Sequence, residues 1–371
     1  MTGRIAAPAA LVAAVLFLAA CGGGGGKSSG GGKSVRVKLT DAGCDPARLT
    51  LPAGGTTFEV TNDGADAVSE FEVLDGDRIV GEVENLAPGL SGRFSITLKP
   101  GRYVTYCPGG KTVERGTLVV TGAAGQAAPS AAEAAAVRRY RAYVESQTTL
   151  LVARTRAFVG ALQAGDVAEA KARYAAARVP YERIEPVAES FGRLDPAIDA
   201  RAGDVPPARW TGFHPIEQRL WVKNTTAGTR PLAVRLLADV QRLRRLVRTV
   251  ALEPAQVANG AVELLGEVSK SKITGEEERY SHLDLVDFEA NVDGARAAFE
   301  SVRPILAVRR PQLARTIDRR FDAVDRALHP YRRGTSFVAY TVLDRRDTRR
   351  LSQAIDALAE PLSQVGAIVV A

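Results

Sequence analysis

The chain has three histidines, His214, His282 and His329, and the clearest chemical pattern surrounds the first, in Gly212-Phe213-His214-Pro215-Ile216-Glu217. Pro215 suits the first turn of a helix, where its missing N–H costs nothing, so His214 and Glu217 stand three residues apart on one helical face. One neutral imidazole and one carboxylate make half of a metal site, and other helices must supply the rest. Tyr181-Glu182-Arg183-Ile184-Glu185-Pro186 sets Glu182 and Glu185 at i and i+3 beside an apolar stripe, where a carboxylate is costly unless paired or metal-bound. Asp199 closes Leu194-Asp195-Pro196-Ala197-Ile198-Asp199, and Asp287 lies in a third acidic segment, Tyr280 to Phe288. Singly, these acids read as helix caps and partners for the abundant arginines. Together they can build a cage of one histidine and several carboxylates, which suits hard or borderline cations and disfavours Cu(I). The zinc-protease pattern His-Glu-x-x-His, which also brings a general base, is missing.

A second candidate lies earlier, where histidine is missing and chemistry falls to Cys44, Cys107 and the pair in Ser69-Glu70-Phe71-Glu72. A blue-copper centre needs two His and a Cys, usually with an axial Met. The only Met is Met1, so type 1 copper is excluded there. Two readings stay open. Cys44 and Cys107 pair as a disulfide beside two solvated glutamates, or their thiolates join a carboxylate in a metal site, which requires them to stay reduced.

The elements that must position these groups follow from hydrophobic period. From 35 to 122 it is two: Val35, Val37 and Leu39, then Phe58 and Val60, Phe71 and Val73, and Phe94, Ile96 and Leu98 alternate with polar partners. Breaks such as Asn62-Asp63-Gly64, Asp75-Gly76 and Pro100-Gly101 recur at the spacing of a small antiparallel β-sandwich. Residues 123–130 read as a linker, with Ser130 as a helix cap. From 131 to 371 the period is 3.6. One stripe (Val137, Tyr140, Val144, Leu151, Phe158, Leu162) ends at Gly165-Asp166, and a second runs from Val167 to Ile184. Further helices are expected near 231–251, 254–270, 284–306, 311–329 and 344–369, which makes an all-α helical bundle.

The N-terminus reads as an export signal: Arg4, an apolar run from Ala6 to Ala20, then Leu18-Ala19-Ala20-Cys21. Small residues ahead of a cysteine resemble the lipobox of bacterial lipoproteins. That implies a lipoprotein signal over 1–21 cut just ahead of Cys21, lipidation of Cys21 and residence on the outer side of the cytoplasmic membrane. Residues 22–34, nearly all Gly, Ser and Lys, read as a flexible tether. The net charge of +7 falls to +6 once Arg4 leaves (7 − 1 = 6). Clusters such as Arg242-Leu243-Arg244-Arg245 sit among leucines at helical spacing and read as a solvated helix face, not a nucleic acid surface.

These motifs resemble a known family. Residues 131–371 look like the imelysin-type peptidase-like domain, through Gly-x-His-x-x-Glu at 212–217, Tyr-Glu-x-x-Glu at 181–185, Gly-Glu-Glu-x-Arg-Tyr-Ser-His at 275–282 and Asp287-Phe288-x-Ala-Asn291. The domain before it resembles the cupredoxin-like domain of EfeO proteins, through Cys44-Asp45-Pro46, Glu70-Phe71-Glu72, Ala87-Pro88-Gly89 and Pro100-Gly101-x-Tyr103-x-x-x-Cys107. The resemblance implies an iron-binding component of an Efe-type uptake system, working with an iron permease and a haem peroxidase. It implies a metal site of His214, Glu217, Glu182, Glu185, Asp199 and Asp287, and a second at Cys44, Glu70 and Cys107 for Cu(II) or Fe(III). The sequence departs from some relatives at Thr105, where an acidic ligand is expected. The expected cargo is iron as Fe3+ or Fe2+, with Cu2+ or Zn2+ as other cations. Two rival functions follow from the same features: a metallopeptidase, from the imelysin label, and a binder of anionic polysaccharide, from the positive charge. Without His-Glu-x-x-His, no enzyme activity is expected.

Overall fold

The computed structural model describes residues 33–122, 129–270 and 272–370. The expected signal, Cys21, residues 22–32 of the tether and 123–128 of the linker lie outside the described residues. In the first segment, period-two alternation becomes strands β1 (Lys33–Thr40), β2 (Gly43–Asp45), β3 (Arg48–Pro52), β4 (Gly54–Asn62), β5 (Phe71–Asp75), β6 (Arg78–Val83), β7 (Ser91–Leu98), β8 (Gly101–Tyr106) and β9 (Arg115–Thr121). They form two sheets, ordered β2-β1-β4-β7 and β3-β9-β8-β5-β6. The alternating residues from Val35 to Leu98 all turn inward. Phe58, Phe71 and Phe94 meet at their centre with ring centroids 5.2 to 6.0 Å apart, and burying each such ring is worth roughly 1.5–3 kcal/mol.

Two details differ from expectation. The sheets are mixed and not wholly antiparallel, because β1 runs parallel to β4 and β3 parallel to β9. Lys33 and Ser34, expected at the end of the tether, instead pair with Thr56 and Thr57 in β1.

The 3.6-residue period becomes α1 (Ala131–Ala164), α2 (Val167–Glu182), α3 (Glu185–Glu189), α4 (Asp195–Asp199), α5 (Phe213–Trp221), α6 (Arg230–Val247), α7 (Pro254–Lys270), α8 (Asp284–Arg309), α9 (Pro311–Leu328), α10 (Arg345–Leu362) and α11 (Val365–Val370). Ser130 caps α1 in a reciprocal capping box with Glu133. Gly165 then ends α1 in the left-handed region, and Asp166 caps α2 by accepting from the Glu169 N–H. The stretch expected as one helix over 344–369 breaks between Leu362 and Val365.

The bundle docks on the open edges of the sandwich. β7 and β6 are the edge strands of the two sheets, and α7 covers both. The Asn259 side chain pairs with the Ser95 backbone as a neighbouring strand would: its Nδ2 donates to the carbonyl at 2.7 Å, and its Oδ1 accepts from the N–H at 3.3 Å. Gln256 Nε2 donates to the Val80 carbonyl at 3.0 Å on the other edge. A Cβ on Gly366 of α11 would come within 2.7 Å of Asn259 Oδ1, so a larger residue there would push on the side chain that makes this pairing.

Candidate metal centre

Gly212 fixes where the centre forms. It holds φ 90°, ψ −151°, and a Cβ there would lie 2.0 Å from the Ile198 carbonyl oxygen. This close approach brings the start of α5, and with it His214, against Asp199 at the end of α4. The loop between α7 and α8 brings in Glu277. Single ligating atoms of Asp199, His214 and Glu277 lie within 4.8 Å of one another. His214 Nε2 is 3.5 Å from Asp199 Oδ1 and 3.6 Å from Glu277 Oε1.

Glu217 stands behind the imidazole and not beside Nε2. Its Oε2 faces His214 Nδ1 at 3.2 Å, while its Oε1 accepts from the N–H groups of Tyr280 at 2.9 Å and Ser281 at 2.7 Å. Burial raises the Glu217 pKa, but the bonds to His214 and to those backbone donors outweigh it and hold the carboxyl below its usual value. An ionised Glu217 can only accept, so His214 Nδ1 carries a proton and donates it. Nε2 is thereby aimed at Asp199 and Glu277, the orientation that a carboxylate behind a ligating histidine normally provides.

Two buried cations hold the remaining acids. Arg178 is fully buried. Its guanidinium bonds Asp199 and Glu182, reaches Glu277 at 3.0 Å and Glu278 at 2.7 Å, and lies 3.4 Å from both Asp287 Oδ2 and His214 Nε2. Lys272 Nζ donates to Glu182 at 2.7 Å and Glu185 at 2.6 Å, and Asn291 Nδ2 donates to Glu185 at 3.1 Å. Of the expected ligand set, the structure therefore brings together His214 and Asp199. Glu182, Glu185 and Asp287 form a surrounding acidic shell, and Glu217 positions the histidine.

Glu277, Arg178 and Lys272 also belong to the site, and the residue patterns around His214 do not mark them. Glu277 sits inside the acidic run Glu276-Glu277-Glu278, where spacing does not single it out, although it is a fixed position of the motif at 275–282. Arg178 could have been noticed as a charge beside the stripe residues Tyr174, Ala177 and Tyr181, four residues before Glu182.

The electrostatics are lopsided. Among the described residues, the buried carboxyls around this centre are Glu182, Glu185, Asp199, Glu217, Glu277, Glu278, Asp284 and Asp287, against only Arg178, His214 and Lys272. Burial raises Asp199 and Glu277. Arg178 and His214 outweigh it for Asp199, as Lys272, His214 and Arg178 do for Glu277, and both stay below the usual carboxylate range. His214 is pushed down by burial and by Arg178, yet bonds to Asp199, Glu217 and Glu277 carry it well above its ordinary value. Burial drives Glu185, Glu278 and Asp287 well upward. The Oδ2 atoms of Asp284 and Asp287 are buried with no hydrogen-bond donor. A hard or borderline cation at His214, Asp199 and Glu277 would fit this donor set and offset the excess charge.

In the sandwich, the second expected site does not form. Cys44 and Cys107 are joined in a disulfide with Cα atoms 5.7 Å apart. Bonded sulfurs have no thiolate charge to offer a cation, and the Glu70 carboxyl turns instead to Glu82 and Glu84. Burial and the nearby Glu72 push Glu70 up to about 8, while burial, Glu84 and Glu267 push Glu263 up to about 8.

The sequence comparisons agree with this two-part layout. The imelysin family matches residues 136–365 and the cupredoxin-like domain matches residues 8–120. The iron uptake system component EfeO of Escherichia coli K12 is 42% identical over 343 residues, spanning 90% of this chain and 91% of that protein. The chain belongs to the EfeO family. The protein of the same name from Shigella flexneri matches with the same identity and coverage. Among solved structures, a reduced auracyanin from Roseiflexus castenholzii is 19% identical, covering 25% of this EfeO-family chain and 100% of its own, with a TM-score of 0.22. No helix among the described residues is long and apolar enough to cross a membrane.

Proposed function

We propose that this protein serves in iron uptake. It captures iron outside the cytoplasmic membrane, held there by lipid on Cys21, and delivers it to a membrane permease, working alongside a haem peroxidase. The observation that carries the reading is the convergence of His214 Nε2, Asp199 and Glu277 inside a shell of carboxylates that outnumber their buried counter-ions. Nitrogen and oxygen donors of this kind suit iron better than Cu(I), and Cu2+ or Zn2+ would compete for the same histidine. The relatives carry the name of an iron uptake component, which supports iron as the cargo.

A peptidase would need a carboxylate free to take a proton from water beside His214. Glu217 has both oxygens engaged, by His214 and by two backbone donors, which supports a carrier over an enzyme. Equilibrium dialysis against ferric citrate and against ferrous iron under argon, with the unaltered protein and His214→Ala, tests the reading. Loss of one bound ion in the variant is expected. Equal iron binding by both proteins would refute it.

A further inference from the structure

Glu70, the one carboxylate of the expected cysteine site, joins a group of acids where the two domains meet. Glu72 of β5 lies directly across the ladder from Glu82 of β6, a like-charged pair that ordinarily destabilises a sheet. Ligating atoms of Glu70, Glu82 and Glu84 lie within 4.8 Å of one another, and those of Glu84, Glu189 and Glu267 do the same. Glu84 belongs to both groups. The first comes from the sandwich, and the second adds acids from α3 and α7 of the bundle. A cavity of about 620 Å3 opens on this seam, lined by Glu82, Glu84, Glu189 and Glu267 among others.

One observation separates this seam from an ordinary acidic surface. Glu82 is only 5% exposed, its Oε2 is buried with no hydrogen-bond partner, and one of its carboxylate oxygens lies within 4.8 Å of those of Glu70 and Glu84. A buried carboxylate oxygen left without a donor is expensive, and a cation is the partner that its acidic neighbours also call for. No histidine or thiolate takes part. Carboxylate oxygen alone selects hard ions.

We propose that the seam is a second cation site, in which Glu82 and Glu84 of the sandwich and Glu189 and Glu267 of the bundle hold one hard, multivalent ion across the domain boundary. Such an ion ties β6 to α3 and α7, where the Asn259–Ser95 pairing already aligns the domains. The seam also communicates with the histidine centre. A cavity of about 270 Å3 is lined both by Glu84, Glu189 and Glu267 of the seam and by Asp199, Lys272 and Glu277 of the histidine centre. Lys272 lies 3.3 Å from Glu267 and bonds Glu182 and Glu185, so one buried cation touches acids of both sites. The site itself does not depend on the iron reading; only the identity of its physiological ion does.

The test counts ions bound to the full-length protein by equilibrium dialysis with Tb(III), a hard and redox-inert probe, and in parallel with ferric citrate. The proteins are the unaltered chain, Glu82→Gln/Glu84→Gln, Glu189→Gln and His214→Ala. Glutamine keeps the shape and relieves repulsion, so the variants should melt no lower than the parent in the absence of metal. Each seam variant should weaken one Tb(III) site at least tenfold while leaving intact the site lost in His214→Ala. Unchanged Tb(III) binding in both seam variants would overturn the proposal. An effect confined to the sandwich variant would overturn the bridging of domains. Tb(III) binding that responds as expected, with no ferric iron bound by any protein, would leave the seam standing and remove iron as the cargo.

Discussion

Replacing Glu217 with Gln separates a positioning carboxylate from a metal ligand. In the structure Glu217 Oε1 accepts two backbone N–H bonds and Oε2 faces His214 Nδ1. The Gln oxygen can keep both backbone bonds, so the loop at Tyr280 and Ser281 has no reason to move. The amide NH2 then faces Nδ1, and two donors cannot point at each other. To relieve that clash Nδ1 must give up its proton and become the acceptor, so the one proton left on the ring is the Nε2 proton facing Asp199 and Glu277, and a cation could displace it only by leaving the ring with none. A nitrogen that carries a proton has no lone pair for a cation. Removing a carboxylate behind a ligating histidine ordinarily costs roughly 10–100-fold in metal affinity, which is about 1.4–2.7 kcal/mol. Ferric iron should therefore bind Glu217→Gln at the same stoichiometry as the parent, with the affinity lowered within that range. Competition dialysis against citrate reads the constant, and the nitrogen-15 shifts of His214 read the tautomer. Binding within twofold of the parent would refute the positioning role. Loss of the ion as complete as in His214→Ala would instead make Glu217 a direct ligand.

Three further outcomes follow. Arg178→Met removes the guanidinium that touches Asp199, Glu182, Glu277 and Glu278. The metal-free protein should lose about 3–5 kcal/mol, and added metal should raise its melting temperature by more than it raises the parent's; equal increments would contradict the charge balance described above. Cys44→Ser/Cys107→Ser opens a loop spanning 63 residues and should cost about 4 kcal/mol by chain entropy, with iron stoichiometry unchanged; loss of a bound ion would restore the cysteines as ligands. The third concerns pH. Glu70 and Glu263 have folded pKa values raised to about 8, so the folded state binds protons that the unfolded chain, near 4.5, releases. Their contribution is fully present below about 4.5 and is lost as pH rises through about 8. The metal-free protein should accordingly melt lower at pH 8.5 than at pH 6, and a melting temperature that rises across this interval would contradict it.

Much of the fold was legible because burial leaves a period in the sequence. Val35-x-Val37-x-Leu39 and Phe94-x-Ile96-x-Leu98 can bury one face only as strands, and Ser130, Gly165 and Asp166 punctuate α1 and α2 by local chemistry that needs no tertiary contact. The parallel pairings of β1 with β4 and β3 with β9 were not legible, since alternation reports which face is buried and not which way a neighbouring strand runs. The site was half legible for the same reason. Gly-x-His-x-x-Glu marked His214, but the partner atoms are selected by the approach of Gly212 to Ile198, a contact made only in the folded chain. Glu217 was expected as a ligand because spacing places it on the histidine's face, while its occupation by backbone donors from residues 280 and 281 depends on a loop some sixty residues away. For Cys44 and Cys107 the sequence was compatible with both outcomes, and only their juxtaposition decides for the disulfide.

Arg178 and Lys272 bear on how such a centre can both take and give up a cation. Carboxylates buried without counter-ions would repel one another enough to open the bundle, or would bind any multivalent ion too firmly to release it. Here the guanidinium lies 3.4 Å from His214 Nε2 and bonds Asp199, while the imidazole itself is held in its protonated form by Asp199, Glu217 and Glu277. An arriving cation must displace the Nε2 proton and draw Asp199 away from Arg178. Binding on this reading is an exchange of one set of positive charges for another, so the net gain is the difference between two large electrostatic energies and not the whole of one. Affinity is then set by how well Arg178 and the proton can be accommodated elsewhere. The same groups stand ready to return when the ion leaves, which is what a carrier needs and what a permanently metal-loaded enzyme does not.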